Sequence, residues 1–260
     1  MSHPTAQQGH GYGTTGHGSH PGQPQKVQGQ VPGAPAEGDS QLYYALYTVF
    51  ARDTAPVADV TGAAATAELE QLEEALKAEG VTLRGFYDVS AMRDNADIMV
   101  WIHGEKPEAL QAAVRKIRRT AAFSGTKIVW STMGVHRDAE FTRQHAPCFA
   151  KGIAPEAWVC VYPFVRSWDW YYMNAERRAE MLKNHGMKGR DFPQVLANTI
   201  ATFGLNDYEW VLALEAPELV DLVDMMRHFR NTEARLYVRE ETPFYTGRRI
   251  PAAEIVQVLA

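Results

Sequence analysis

Two stretches, ADIMVWIHGEKPEAL (96–110) and NDYEWVLALEAPELV (206–220), decide how this chain folds. Laid over one another without gaps, they align Asp97 with Asp207, Pro107 with Pro217 and Glu108 with Glu218. Each reads as an apolar strand followed by a helix opened near a proline, which suits a first helical turn. A second echo relates YTVFARD (47–53) to VYPFVRS (161–167). Working outward, 42–51 reads as a strand and 63–79 as an amphipathic helix with Leu69, Leu72 and Leu76 on one face and Gly80 as its stop. Segments 81–89, 96–102 and 126–133 read as strands, and Pro107–Arg119 as a helix. The chain is therefore expected to hold two copies of a strand–helix–strand–strand–helix–strand unit. Antiparallel sheets with helices on one face make it an α+β protein. The halves are placed at 41–150 and at 151–260, with a linker at about 134–156.

Residues 1–40 are rich in Gly, Pro, Gln, His, Ser and Thr and poor in large apolar residues. Such a tail is expected to be disordered, because it buries too little surface to offset its ordering entropy. It carries His3, His10, His17 and His20, at spacings that match no metal motif of defined geometry.

The 260 residues are 45% hydrophobic and 22% charged, an ordinary soluble composition, and the net charge is −5. That argues against a nucleic-acid partner, which requires phosphate neutralisation. No apolar run reaches the roughly 18–20 residues of a membrane span. No basic segment followed by an apolar one opens the chain, so no signal peptide is expected. Two cysteines, Cys148 and Cys160, exclude a disulfide framework and make a reduced, cytoplasmic setting the default.

Residues that match between the copies are expected to serve the core, and those that break the match to serve function. The second copy concentrates unusual polar and aromatic residues: Tyr162, Arg166, Trp168, Trp170, Tyr171, Tyr172 and His185. His185 ends the helix read at 174–185, just before Gly186. It is either a helix-terminal His⁺ facing the dipole before a Gly cap or an axial ligand to haem iron. No HExxH and no CxxCH occur, so zinc is not supported and any haem is held non-covalently. Tyr162 precedes Pro163 in the strand 158–165. It is a barrel-lining aromatic, or a side chain re-aimed by an edge or bulge next to a site. Arg166 falls on the same strand face, either exposed or poised to grip a carboxylate with its fork. His145, in RQHAP (143–147), is an exposed loop histidine or an acid–base group.

VYPFVRSWDWYYMNAERRAEMLKNHG (161–186), with DYEW (207–210) and EARLYVREETPFYTGRR (233–249), resembles the signature of the chlorite-dismutase-like superfamily. Within it, residues 41–260 are similar to actinobacterial-type coproheme decarboxylases. The resemblance implies two ferredoxin-like repeats forming a dimeric α+β barrel-like subunit, assembled as a homopentamer. It implies iron coproporphyrin III (coproheme) as substrate and redox cofactor, decarboxylated with hydrogen peroxide to haem b through a three-propionate intermediate. A transient contact with a coproporphyrin ferrochelatase is a further implication. By the same resemblance His185 is the axial iron ligand, Tyr162 the radical-forming tyrosine and His145 the distal base. Arg166, Trp170, Asn198, Arg227 and Arg230 are then substrate-binding positions. Chlorite dismutases carry a distal arginine where this chain has Asn198, which argues against oxygen production from chlorite. A haem peroxidase or a non-enzymatic haem-delivery protein are the remaining alternatives.

Overall fold

The computed structural model describes residues 42–54, 62–136 and 146–259. The N-terminal tail and His145 lie outside the described residues. The first half contains β1 (Tyr44–Arg52), α1 (Ala63–Ala78), β2 (Val81–Asp88), β3 (Ile98–Gly104), α2 (Pro107–Ile117) and β4 (Thr126–Val135). The second contains β5 (Trp158–Arg166), α3 (Trp168–Tyr172), α4 (Ala175–Gly189), β6 (Leu196–Ala201), β7 (Trp210–Ala216) and α5 (Leu219–Phe229). It ends with β8 (Val238–Glu240), β9 (Tyr245–Ile250) and α6 (Ala252–Leu259).

Neighbouring strands run in the order β7-β6-β4-β1-β3-β2-β9-β5, and β5 pairs again with β7, so the sheet closes on itself. All of these pairings are antiparallel. Each half contributes the ferredoxin-like order, β4-β1-β3-β2 and β9-β5-β7-β6. Strands β3 and β7 begin at Ile98 and Trp210, and α2 and α5 at Pro107 and Leu219. The structural repeat is thus two residues longer than the gapless match of 96–110 with 206–220. An even shift preserves the strand alternation, so the facing of every residue is kept.

The two halves meet along two short seams. β4 joins β6 at Val135–Ala201, and β2 joins β9 over Phe86–Ile250 to Asp88–Arg248. A glycine on the last strand of each repeat permits the approach. A Cβ at Gly134 would lie 2.9 Å from the Ala201 carbonyl oxygen, and one at Gly247 would lie 2.6 Å from that of Asp88. Asn206 adds side-chain hydrogen bonds to Thr132 and Met133 across the first seam.

The strands are apolar on both faces because both are covered. Tyr47, Val49, Met99, Trp101, Val161, Val211 and Ala213 fill the barrel. Phe50, Ile98, Val100 and Ile102 face outward against Leu69, Leu76, Leu110 and Ile117 of α1 and α2. The C-terminal α6 was not anticipated from the sequence. It sends Ile255, Val256 and Leu259 into this first-half cluster.

A buried ion pair ties the halves together inside. Arg84 on β2 donates to Glu215 on β7 at 2.7 Å and to the Ile153 carbonyl at 2.6 Å. Burial pushes the Glu215 carboxyl up, against the pull of Arg84 and Asn198. Removing one partner leaves the other charge buried and unpaired. Arg84→Met is therefore expected to lose about 3–5 kcal/mol of stability, and Arg84→Met with Glu215→Leu to recover much of it. Thermal denaturation of the two variants checks this.

Candidate active site

Strand β5 alternates between the two faces of the barrel wall. Val159 and Val161 point inward, while Cys160 and Tyr162 point outward beneath α5. Tyr162 is thus not a barrel-lining aromatic. Its strand pairs with β7 on one side from Trp158 to Phe164, but on the other β9 pairs only as far as Val161 and β8 begins at Val165. Pro163 falls where the second neighbour changes, a position that tolerates a residue without an N–H.

Helix α5 presents an apolar face, with Leu222 and Met225 packed down onto Cys160, Tyr162 and Leu214. Beside it opens a cavity of about 350 Å³, with Cys160 and Thr246 on the strands, Phe244 on the connection, and Leu219, Leu222 and Met226 on α5. Arg227 and Arg230 also line it. Both are exposed, so the apolar chamber has a cationic rim. Arg230 pairs with Glu241 at 2.7 Å, and Arg235 reaches the same carboxylate at 2.9 Å.

Tyr162 is 4% exposed. Its ring stacks on Phe244 at 4.7 Å, and its hydroxyl donates to Met226 Sδ at 3.6 Å. Burial first, then the neighbouring Cys160 and Glu241, drives its pKa well above the usual phenol value. The phenol therefore holds its proton at any physiological pH.

His185 sits within α4, which Asn174 caps by accepting from the Glu176 N–H at 2.7 Å. The helix runs through Gly186 and ends at Gly189, so the reading of His185 as a helix-terminal cation before a Gly cap is overturned. The His185 ring stacks on Phe229 at 4.2 Å, with Nδ1 3.4 Å from the Thr232 hydroxyl. Burial, and then the Arg166 charge, lowers its pKa to about 4, so the imidazole is neutral. A neutral imidazole is the form that ligates a metal.

Other candidates separate. Arg166 is buried rather than exposed. Its guanidinium lies 4.1 Å over Trp170 and donates to the Ala234 carbonyl at 3.0 Å. Trp170 is fully buried with Met181, Leu182 and Ala234 and lies under the Arg166 guanidinium, which narrows its reading as a pocket tryptophan to packing behind α4. Asn198 is corrected too. It donates to Glu215 at 2.9 Å and accepts from the Phe149 N–H at 3.0 Å, within the buried network of the barrel. It therefore faces away from Tyr162, and the argument against chlorite chemistry cannot rest on its side chain. The absence of any arginine between Arg190 and Arg227 still stands. Met226, Phe229, Thr232, Arg235 and Phe244 were missed. Only the basic end of α5 gave a signal.

Among the described residues, no group of three or more His, Cys, Asp or Glu side chains could hold a metal ion. A single neutral imidazole, His185, stacked on Phe229 of the same helix that lines the chamber and carries Arg227 at its rim, fits an iron already held by a carboxylate-bearing macrocycle.

The chlorite dismutase family profile matches residues 62–250. The chain is 45% identical over 226 residues to the coproheme decarboxylase of Mycolicibacterium smegmatis, covering 85% of this chain and 96% of that protein. A double variant of the chlorite dismutase from Candidatus Nitrospira defluvii superposes with a TM-score of 0.72 at 18% identity, covering 84% of this chain and 95% of that one. The same enzyme in complex with imidazole gives 0.71 at 17% identity, covering 85% and 96%. At such identities the two structures speak for the fold. Sequence profile, near full-length relative and closed two-repeat barrel agree, and the chain belongs to the chlorite dismutase family.

Proposed function

We propose that this protein is a coproheme decarboxylase, converting iron coproporphyrin III to haem b in haem biosynthesis with hydrogen peroxide as oxidant. The observation that carries the reading is a buried phenol, Tyr162, packed against Phe244 and Met226 of the arginine-rimmed chamber, while Phe229 of the same helix α5 stacks on the ring of His185. The near full-length similarity to a protein of that name supports it.

His185 holds the iron of the substrate through a neutral ring. Arg227 and Arg230 meet carboxylates at the rim, since four propionates cannot enter an apolar chamber unpaired. Bound coproheme, with peroxide, supplies the oxidising equivalents. His145 is assigned the transfer of the peroxide proton from its place in the sequence. Because Tyr162 stays protonated, it gives up an electron and its phenolic proton together. The resulting radical takes a hydrogen atom from the β-carbon of a propionate. Loss of CO₂ and of one further electron leaves a vinyl group. Each propionate, with one H₂O₂ and one proton, then yields one vinyl, one CO₂ and two waters.

The assignment of the binding roles to Arg166 and Trp170 is narrowed to positioning behind α4, where Arg166 depresses the His185 pKa. No helix among the described residues is long and apolar enough to cross a membrane. A cytoplasmic setting and receipt of coproheme from a ferrochelatase belong to this reading. So does a homopentamer; contact with another copy would cover the exposed Trp168, Tyr172 and Leu236, which stand at 69%, 90% and 79%.

The test is a titration of the ferric coproheme complex with peroxide, followed by porphyrin mass. Two successive losses of CO₂ plus two hydrogens are expected. Bleaching without those losses, or oxygen release from chlorite, would refute the assignment.

A further inference from the structure

The C-terminal end of α5 clamps the ring of His185 from two directions. Phe229, its last residue, lies against the ring face, and Thr232, just beyond the cap, meets the edge at Nδ1. A threonine hydroxyl has one hydrogen to give. Thr232 gives it to the Phe229 carbonyl oxygen at 2.9 Å. Toward His185 its oxygen can then only accept, which requires the ring proton to sit on Nδ1. In a neutral imidazole the other nitrogen, Nε2, then carries the lone pair. Thr232 is itself 8% exposed, so water does not substitute readily for it. The 3.4 Å separation is long for this bond, as site hydrogen bonds often are before ligand tightens them.

We propose that Thr232 is a positioning residue: its hydroxyl, committed as a donor to the Phe229 carbonyl, fixes His185 as the Nδ1–H tautomer and so offers Nε2 to the iron of coproheme. The last clause rests on the proposed function, whereas the tautomer assignment does not. Outer partners of a ligating histidine generally fix its tautomer and ring orientation in this way. The acceptor here is an uncharged hydroxyl, so it orients the ring while leaving it an imidazole.

The test begins on the ligand-free protein. Ring ¹⁵N shifts of His185 are expected to show a protonated Nδ1 and an unprotonated Nε2. Thr232→Val should shift the ring toward the Nε2–H form, and Thr232→Ser, which keeps both hydrogen bonds, should restore the original state. A wild-type ring protonated on Nε2, or an unchanged tautomer in the valine variant, would overturn the proposal. In the ferrous coproheme complex, Thr232→Val should lower the iron–histidine stretching frequency and weaken binding by about 10-fold, again with rescue by serine. Should the wild-type complex show no such stretch, the ligand assignment of His185 fails, while the tautomer measurement still judges Thr232 by itself.

Discussion

Tyr162→Phe is expected to bind coproheme and consume peroxide yet make almost no haem b. The substitution keeps the ring on Phe244 and removes only the hydroxyl that meets Met226. Loss of that one weak hydrogen bond should change stability by no more than about 1 kcal/mol. The chemistry should suffer far more, because no oxidised group would then lie beside the propionate. A fall of about 10³-fold, or about 4 kcal/mol in the barrier, is the expected scale. Trp170 and Tyr171 are oxidisable and close in sequence, but Tyr162 packs on Phe244 and Met226 of the chamber wall whereas these two pack elsewhere. Trp170 lies behind α4, and the Tyr171 hydroxyl donates to Glu209 at 2.6 Å. Porphyrin mass after peroxide titration decides the matter. Efficient haem b formation by the phenylalanine variant would remove Tyr162 from the mechanism and leave porphyrin binding untouched.

His185→Ala should act one step earlier, on binding. The side chain is only half-buried, so the fold should survive its truncation. What is lost is the nitrogen donor between Phe229 and Thr232. Affinity for coproheme is expected to fall by about 10²-fold or more, about 2.8 kcal/mol, and the iron–histidine stretch to vanish. Added imidazole should recover part of both. Optical titration and resonance Raman spectroscopy check these outcomes. A persisting iron–histidine band in the alanine variant would mean that another histidine holds the iron.

Glycines show why some of the chain was legible and some was not. Gly80 was expected to stop α1, and it does so at φ +80°. Gly186 carried the same local signature, yet α4 passes through it to Gly189. A glycine ends a helix only when it takes the left-handed conformation, and nothing in the neighbouring residues reveals whether it will. Gly134 and Gly247 are a third kind. They are needed because backbone from the other half arrives within van der Waals distance, a fact absent from their own surroundings in sequence.

The site divides along similar lines. Tyr162 and His185 stand out because they belong to the run of unusual polar and aromatic residues by which the second copy departs from the first. Met226 and Phe229 lie on the apolar face of α5 and read as ordinary core. Thr232 lies in a polar stretch, with nothing to mark it as a partner of a histidine 47 residues away. Asn198 was misplaced because a motif position gives no strand parity. In the fold it shares the inward face of β6 with Ile200.

The sequence by itself determined the two-repeat organisation and most of the strands and helices. These depend on period-two and helical patterns and on residue chemistry, which are local properties. Tertiary structure alone decided that the two sheets close into one barrel through single short seams, and that α6 completes the opposite half. It also decided that Tyr162 faces α5 rather than the barrel interior, and that the end of α5 grips the ring of His185. Those outcomes depend on contacts between residues far apart in the chain. Their energies come from surfaces that exist only once both halves have folded against each other.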